Sequence, residues 1–193
     1  MKEQREMGFA GFPALGEDPR GKQMEIISIL AENNSGVMPR IAGLFGRRGY
    51  SINSITCSGT NIPGIARLTI SIEGDKKLID QVIHQVAKLV EVRNIERLDF
   101  NNSVQREQLL VKVKADESTR SHIREAAEIF KAKIVDLAPD SMTAALSGKP
   151  SSIDAFLEVL QRYEILEMCR SGVIALSRGT ENVMELPADR KIR

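Results

Sequence analysis

Asn33-Asn34-Ser35-Gly36 is the stretch of this sequence best suited to holding a charged small molecule. It stands between an apolar, β-branched run, Glu25–Leu30 (EIISIL), and a segment with Val37, Ile41, Leu44, Phe45 and Arg48 at near-helical spacing. Where a strand turns into a helix through such a corner, several backbone N–H groups lack intrahelical partners at the positive end of the helix dipole. A carboxylate can bind there. Asn and Ser are also good helix caps in their own right, so the pattern alone leaves a ligand corner and a plain capped turn both open.

No catalytic set accompanies the corner. His84 and His122 fall in different predicted helices, without Cys, His, Asp or Glu at ligand spacing, so no metal site is predicted. There is no G-x-S-x-G and no P-loop, and Gly36, Gly43, Gly46 and Gly49 do not form a dinucleotide fingerprint. The 27 Lys and Arg residues nearly balance 26 Asp and Glu, which gives nucleic acid or an anionic membrane no electrostatic footprint. No apolar run approaches the roughly 18 residues of a membrane helix. Cys57 and Cys169 are isolated and read as reduced thiols of a cytoplasmic protein.

The elements around the corner set the fold. The helix is expected to stop at Gly49, and Tyr50–Thr56 to start a strand. After the turn-rich Ser58–Gly64, Ile65–Ile72 pairs back as a hairpin, with Leu68, Ile70 and Ile72 on one face. Gly74-Asp75 opens a second helix with Leu78, Val82, Val86 and Leu89 inward, and a last strand lies within 90–100. This β-α-β-β-α-β order is ferredoxin-like. After a polar linker, Asn101-Asn102-Ser103, the order returns: Gln108–Lys114, Ser118–Phe130, Lys133–Leu137, Met142–Leu146, Ser152–Gln161, and a final strand within 164–176. The predicted fold class is thus α+β, two tandem βαββαβ units over residues 24–100 and 104–179. A disordered extension (1–23) and a flexible tail (180–193) flank them. An RNA-binding reading fails because the central strands, LTISI and SINSIT, carry no aromatic for stacking bases.

The repeat is visible in residues too. Glu25-x-Ile-x-Ile29 matches Glu107-x-Leu-x-Val111, and Gly74 precedes Ile79-Asp80 as Gly148 precedes Ile153-Asp154. The offset between copies shrinks by about eight residues across the hairpin, which assigns the surplus to the tip, Cys57–Gly64, and marks that tip as a candidate partner contact.

The run ENNSGVMPRIAGLFGRRGYSINSIT closely resembles the opening of the acetohydroxyacid synthase (acetolactate synthase) regulatory small subunits, whose N-terminal part is an ACT domain. The likeness continues through ARLTISIEGD, KLVEV, LLVKVKA, EIFKAKIVDL, DAFLEVL and RSGVIALSRG, roughly residues 25–179. The resemblance implies a non-catalytic subunit that activates a catalytic large subunit and lets valine or a related amino acid inhibit it. Thiamine diphosphate, FAD and Mg²⁺ would all sit on that partner, and this chain would carry no cofactor. It further implies a homodimer with effector sites between protomers. Asn33, Gly36, Val37 and Met38 of one protomer would surround the ligand's carboxylate and amino group, and Ser51 and Ile52 of the other would complete the site. The rival readings are a stand-alone tandem-ACT regulator, which co-purification with a thiamine-dependent synthase would exclude, and an enzyme on the same scaffold.

The family usually reads Gly-Tyr-Asn-Ile where this chain has Gly49-Tyr50-Ser51-Ile52. Serine offers one donor proton where asparagine offers a whole carboxamide. Losing a hydrogen bond to a charged group costs roughly 1.5–3 kcal/mol, about 10- to 150-fold in affinity, less whatever a bridging water or Asn53 restores. Valine is therefore expected to bind more weakly here than is usual for the family. Ser51→Asn should tighten it in a calorimetric titration, and equal or weaker binding by the mutant removes Ser51 from the site.

Overall fold

The computed structural model describes residues 24–47, 52–73, 76–99 and 101–184. The helix stop expected at Gly49, the candidate contact Ser51, the extension 1–23 and residues 185–193 lie outside them. The first unit runs β1 (Met24–Glu32), α1 (Val37–Gly46), β2 (Ile52–Gly59), β3 (Ile65–Glu73), α2 (Lys76–Val86) and β4 (Val92–Leu98). The second runs β5 (Ser103–Lys114), α3 (Arg120–Ile129), β6 (Lys133–Leu137), β7 (Ser141–Gly148), α4 (Pro150–Leu160) and β8 (Ile165–Arg170), and β9 (Ile174–Ser177) follows.

Each unit makes an antiparallel sheet in the same order, β2-β3-β1-β4 and β6-β7-β5-β8. The strands form where β-branched residues alternate, and β1 pairs with β3 without interruption from Met24↔Glu73 to Glu32↔Ile65. Ile27, Ile29 and Ala31 of β1 pack with Leu68, Ile70 and Ile72 of β3 under the helices. The helices bury stripes at helical spacing, Val37, Ile41 and Phe45 from α1 and Ile79, Val82 and Val86 from α2. In the second unit Leu109, Val111 and Val113 pack likewise with Ile123, Ala127, Ile153 and Phe156.

An ion cluster repeats with the fold. Arg97 Nε, on β4, donates to Glu25 Oε2 at 2.8 Å, with Asp80 Oδ1 4.0 Å from its Nη1. In the second unit Arg170, on β8, pairs with Glu107 and donates through Nη1 to Asp154 Oδ1 at 2.7 Å. Both clusters join the central strand, the second helix and the last strand.

Two features differ from the sequence expectation. The surplus in the first copy is not concentrated at the hairpin tip: β2 has 8 residues against 5 in β6, and β3 has 9 against 8 in β7. The tip itself is packed, with Ile62 against Leu30, Ile65 and Val183. The second feature is the junction between units. Ser103 belongs to a strand, not a linker. Ser103–Arg106 pairs with Ile174–Ser177, a strand that periodicity did not separate from β8.

This two-stranded arm lies on the face of the first sheet that α1 and α2 leave open. Val173 and Ala175 are buried there with Ile26 and Leu98. Thr56 Oγ1 donates to Val173 O at 2.9 Å, Arg67 Nη2 to Ala175 O at 2.8 Å, and Ser177 Oγ to Glu96 Oε1 at 3.3 Å. Further on, Asn94 Nδ2 donates to Val183 O at 2.9 Å, and Val183 is buried against Leu30 and Ile65. Residues 180–184, at the start of the expected flexible tail, therefore include a packed position.

The arm begins at Gly172, whose φ is +78° and whose missing Cβ would stand 2.7 Å from the Ser54 Cβ. Both the backbone conformation and the close approach call for glycine. Gly172→Ala should lower stability by about 1–3 kcal/mol through left-handed strain and overpacking. Urea unfolding checks this, and an unchanged midpoint would show that the arm is not held against Ser54.

Candidate functional site

The corner between β1 and α1 is exposed from Asn33 through Gly36. Hydrogen bonds fix its path. Asn33 N donates to Gly64 O at 2.9 Å, tying the corner to the β2–β3 turn, where Gly64 takes a φ of +74°. Asn34 N donates to Glu32 O at 3.0 Å, Asn34 Oδ1 accepts from Gly36 N at 3.3 Å, and Val37 N donates to Asn34 O at 3.3 Å. Two ion pairs brace the flanks: Arg40 with Glu91, and Arg93 with Glu32.

Gly36 occupies the N-cap of α1, which has no side-chain cap hydrogen bond and no acidic residue in its first turn. The positive end of the helix is therefore not neutralised from within its own first turn. Val37 N already donates to Asn34 O and Pro39 has no N–H, so a ligand here would meet the Met38 amide of the first turn. Gly36 itself has an ordinary φ of −90°, and a Cβ built on it would meet nothing closer than Asn34 Oδ1 at 3.8 Å. Among the described residues nothing requires glycine at this position.

Asn33, Gly36, Val37 and Met38 stand together on this turn, but with unequal access. The Val37 side chain is only 3% exposed and belongs to the core, and its N–H is taken by Asn34 O. Met38 is half-buried against the same core. Ile52 lies elsewhere. It pairs with Ile72, which pairs with Glu25 at the start of β1, whereas the corner follows Glu32 at the end of that strand. At roughly 3.3 Å per residue the separation along the sheet is about 23 Å. A single chain does not bring Ile52 to the corner.

No set of His, Cys, Asp or Glu among the described residues could hold a metal ion. His84 and His122 are both exposed on helices, and His84 Nδ1 lies 2.6 Å from Asp80 O in its own helix. Cys57 and Cys169 are free thiols, and burial pushes the Cys57 thiol up. No helix among the described residues is long and apolar enough to cross a membrane.

Comparison with known proteins decides the family. Residues 27–94 match the model of the AHAS small subunit-like ACT domain, and residues 106–179 match that of the small subunit of acetolactate synthase. The chain belongs to the acetolactate synthase small-subunit family. It is 43% identical over 159 residues to the probable acetolactate synthase small subunit of Methanothermobacter thermautotrophicus, an alignment covering 82% of this chain and 95% of that one. It is 40% identical over 160 residues to the acetolactate synthase small subunit of Haemophilus influenzae, covering 82% and 98%. The crystal structure of the Thermotoga maritima small subunit superposes with a TM-score of 0.77 at 37% identity, covering 82% of this chain and 99% of that one. Membership places the first unit among ACT domains and the chain in branched-chain amino acid biosynthesis, as a regulatory subunit.

Proposed function

We propose that this chain is the non-catalytic regulatory subunit of a cytoplasmic acetolactate synthase. It raises the activity of the catalytic large subunit, which carries thiamine diphosphate, FAD and Mg²⁺, and it lowers that activity when valine binds. Residues 24–100 act as the sensor, and residues 104–179 form the second unit.

The observation that supports the reading is that the candidate residues, the Asn33 corner and Ile52, stand at opposite ends of one sheet. An amino acid cannot span about 23 Å, so a site built from both halves needs two protomers. β2 is an edge strand, paired with β3 on one side. A twofold contact along that edge would run the partner's β2 antiparallel to this one. The partner's Ile52 would then come to the end of the sheet where Gly59, Gly64 and the Asn33 corner lie, since Gly59 pairs near Ile65 and Asn33 bonds Gly64. The same contact would cover an open strand edge. At the corner the carboxylate would meet the uncapped start of α1, and the branched side chain would lie against Met38 and the partner's Ile52.

A steady-state assay of the purified large subunit, with and without this chain, tests activation. A several-fold increase is expected, with no turnover by the chain alone, and an unchanged rate would end the reading. Gly36→Ala separates ligand binding from folding. Because the added methyl meets none of the described residues closer than Asn34 Oδ1 at 3.8 Å, stability should stay the same or rise slightly, while valine affinity should fall about tenfold or more as the methyl blocks approach to the backbone. Undiminished valine binding would move the effector away from this corner. Sedimentation of the full chain should give a dimer that persists in Gly36→Ala.

A further inference from the structure

The arm has two unlike obligations. Its inward residues, Val173 and Ala175, are buried against the first sheet. Its outward residues, Ile174 and Leu176, are equally apolar yet 56% and 58% exposed, and Val104, paired with Leu176, is 39% exposed. A strand with one face in water ordinarily alternates apolar with polar. Here both faces are apolar, the pattern of a strand covered on both sides.

Cations gather beside this strip. A cavity of 570 Å³ runs along Ile174 and Leu176, with Arg67 and Arg106 in its wall. A second, of 330 Å³, shares Val104 and Arg106 with it and adds Lys149 and Arg178. No carboxylate lines either cavity among the described residues. In a chain of formal charge +1, the two walls together hold four positive groups, one of them offset by a nearby carboxylate. Glu96, the carboxylate whose field acts on Arg67, lies on the sheet beneath the arm, where it accepts from Ser177.

We propose that the outward face of the arm and its basic flanks form the docking surface for an acidic segment of the catalytic large subunit that carries apolar side chains. The proposal rests on the regulatory-subunit reading above. A second copy of this chain fits less well, because an isologous contact would set the same cations against one another. Nucleic acid fits less well because the strip is aliphatic and offers no aromatic surface for bases. The arm also gives the contact a regulatory consequence. Val173, which leads into the strand that would meet the catalytic subunit, accepts from Thr56, in the strand that begins with the candidate effector residue Ile52.

Binding of the full-length chain to the purified large subunit, measured by calorimetry at two salt concentrations, tests this. The double variant Ile174→Ser/Leu176→Ser and, separately, Arg106→Glu should each weaken association about tenfold or more, with Arg106→Lys much closer to wild type. Wild-type affinity should fall as salt rises. Melting and sedimentation without the partner check the fold, and if the double variant unfolds, the exposed Arg106→Glu carries the test alone. Folded variants that bind within twofold of wild type would overturn the docking surface, as would variants that lose self-association while keeping the large subunit. A wild-type chain that does not bind the large subunit would instead overturn the regulatory-subunit reading, and the surface with it.

Discussion

A sheet with helices on one face must still settle its other face, and in the first unit that face is apolar at Ile26, Leu30 and Leu98. Antiparallel sheets often leave such a face to water by making it polar. Here the chain covers it with residues supplied from the far end of the sequence, Val173, Ala175 and Val183. Fully burying a valine contributes about 1.5–3 kcal/mol, so the arm and the residues after it are a substantial part of what keeps the first unit closed. The contact is not wholly apolar. Ser28 Oγ, Arg67 Nε and Glu96 Oε2 are buried in this layer with no hydrogen-bond partner among the described residues. Such groups weaken the fit locally.

The repeated ion cluster explains where the arm starts. In both units an arginine from the last strand joins a glutamate of the central strand to an aspartate on the second helix. The first is half open to solvent, with Asp80 48% exposed, and its long contact to Arg97 is correspondingly weak. The second is enclosed, with Arg170 and Glu107 each under a tenth exposed, and burial pushes the Glu107 carboxyl up against the pull of Arg170. Removing one partner from a buried pair strands the other and costs about 3–5 kcal/mol. Arg170 is thus a fixed post, and two residues later the chain turns at Gly172 toward the first sheet.

The parts of this architecture that rest on local pattern were legible. The alternation in Ile65–Ile72 and the helical stripe Val37, Ile41, Phe45 led directly to the observed strand and helix, and the matching Glu25 and Glu107 exposed the repeat. What was not legible depends on partners far apart in sequence. Ser103 looked like linker beside Asn101 and Asn102, and the polar Gln105 lay outside the expected strand Gln108–Lys114. Both are buried, with Gln105 Nε2 donating to Ser103 Oγ at 2.9 Å, once Ile174–Ser177 pairs alongside. RSGVIALSRG stood out as a likeness, but no periodicity could say that its inward residues serve the other unit. For the site, the residues of the corner adjoin in sequence and in space, whereas the distance from Ile52 to that corner follows from strand order, which a one-dimensional reading does not contain.

The arm also bears on how the chain is made. Synthesis proceeds from the N-terminus, and domains generally fold as units as they emerge. The six elements of the first unit are complete by Leu98, yet Val173 and Ala175, which close its outer face, are added more than seventy residues later. Throughout that interval the nascent sheet presents Ile26, Leu30 and Leu98 to water, and with them a surface to which chaperones or other chains can adhere. The first unit of this protein is translated first and finished last.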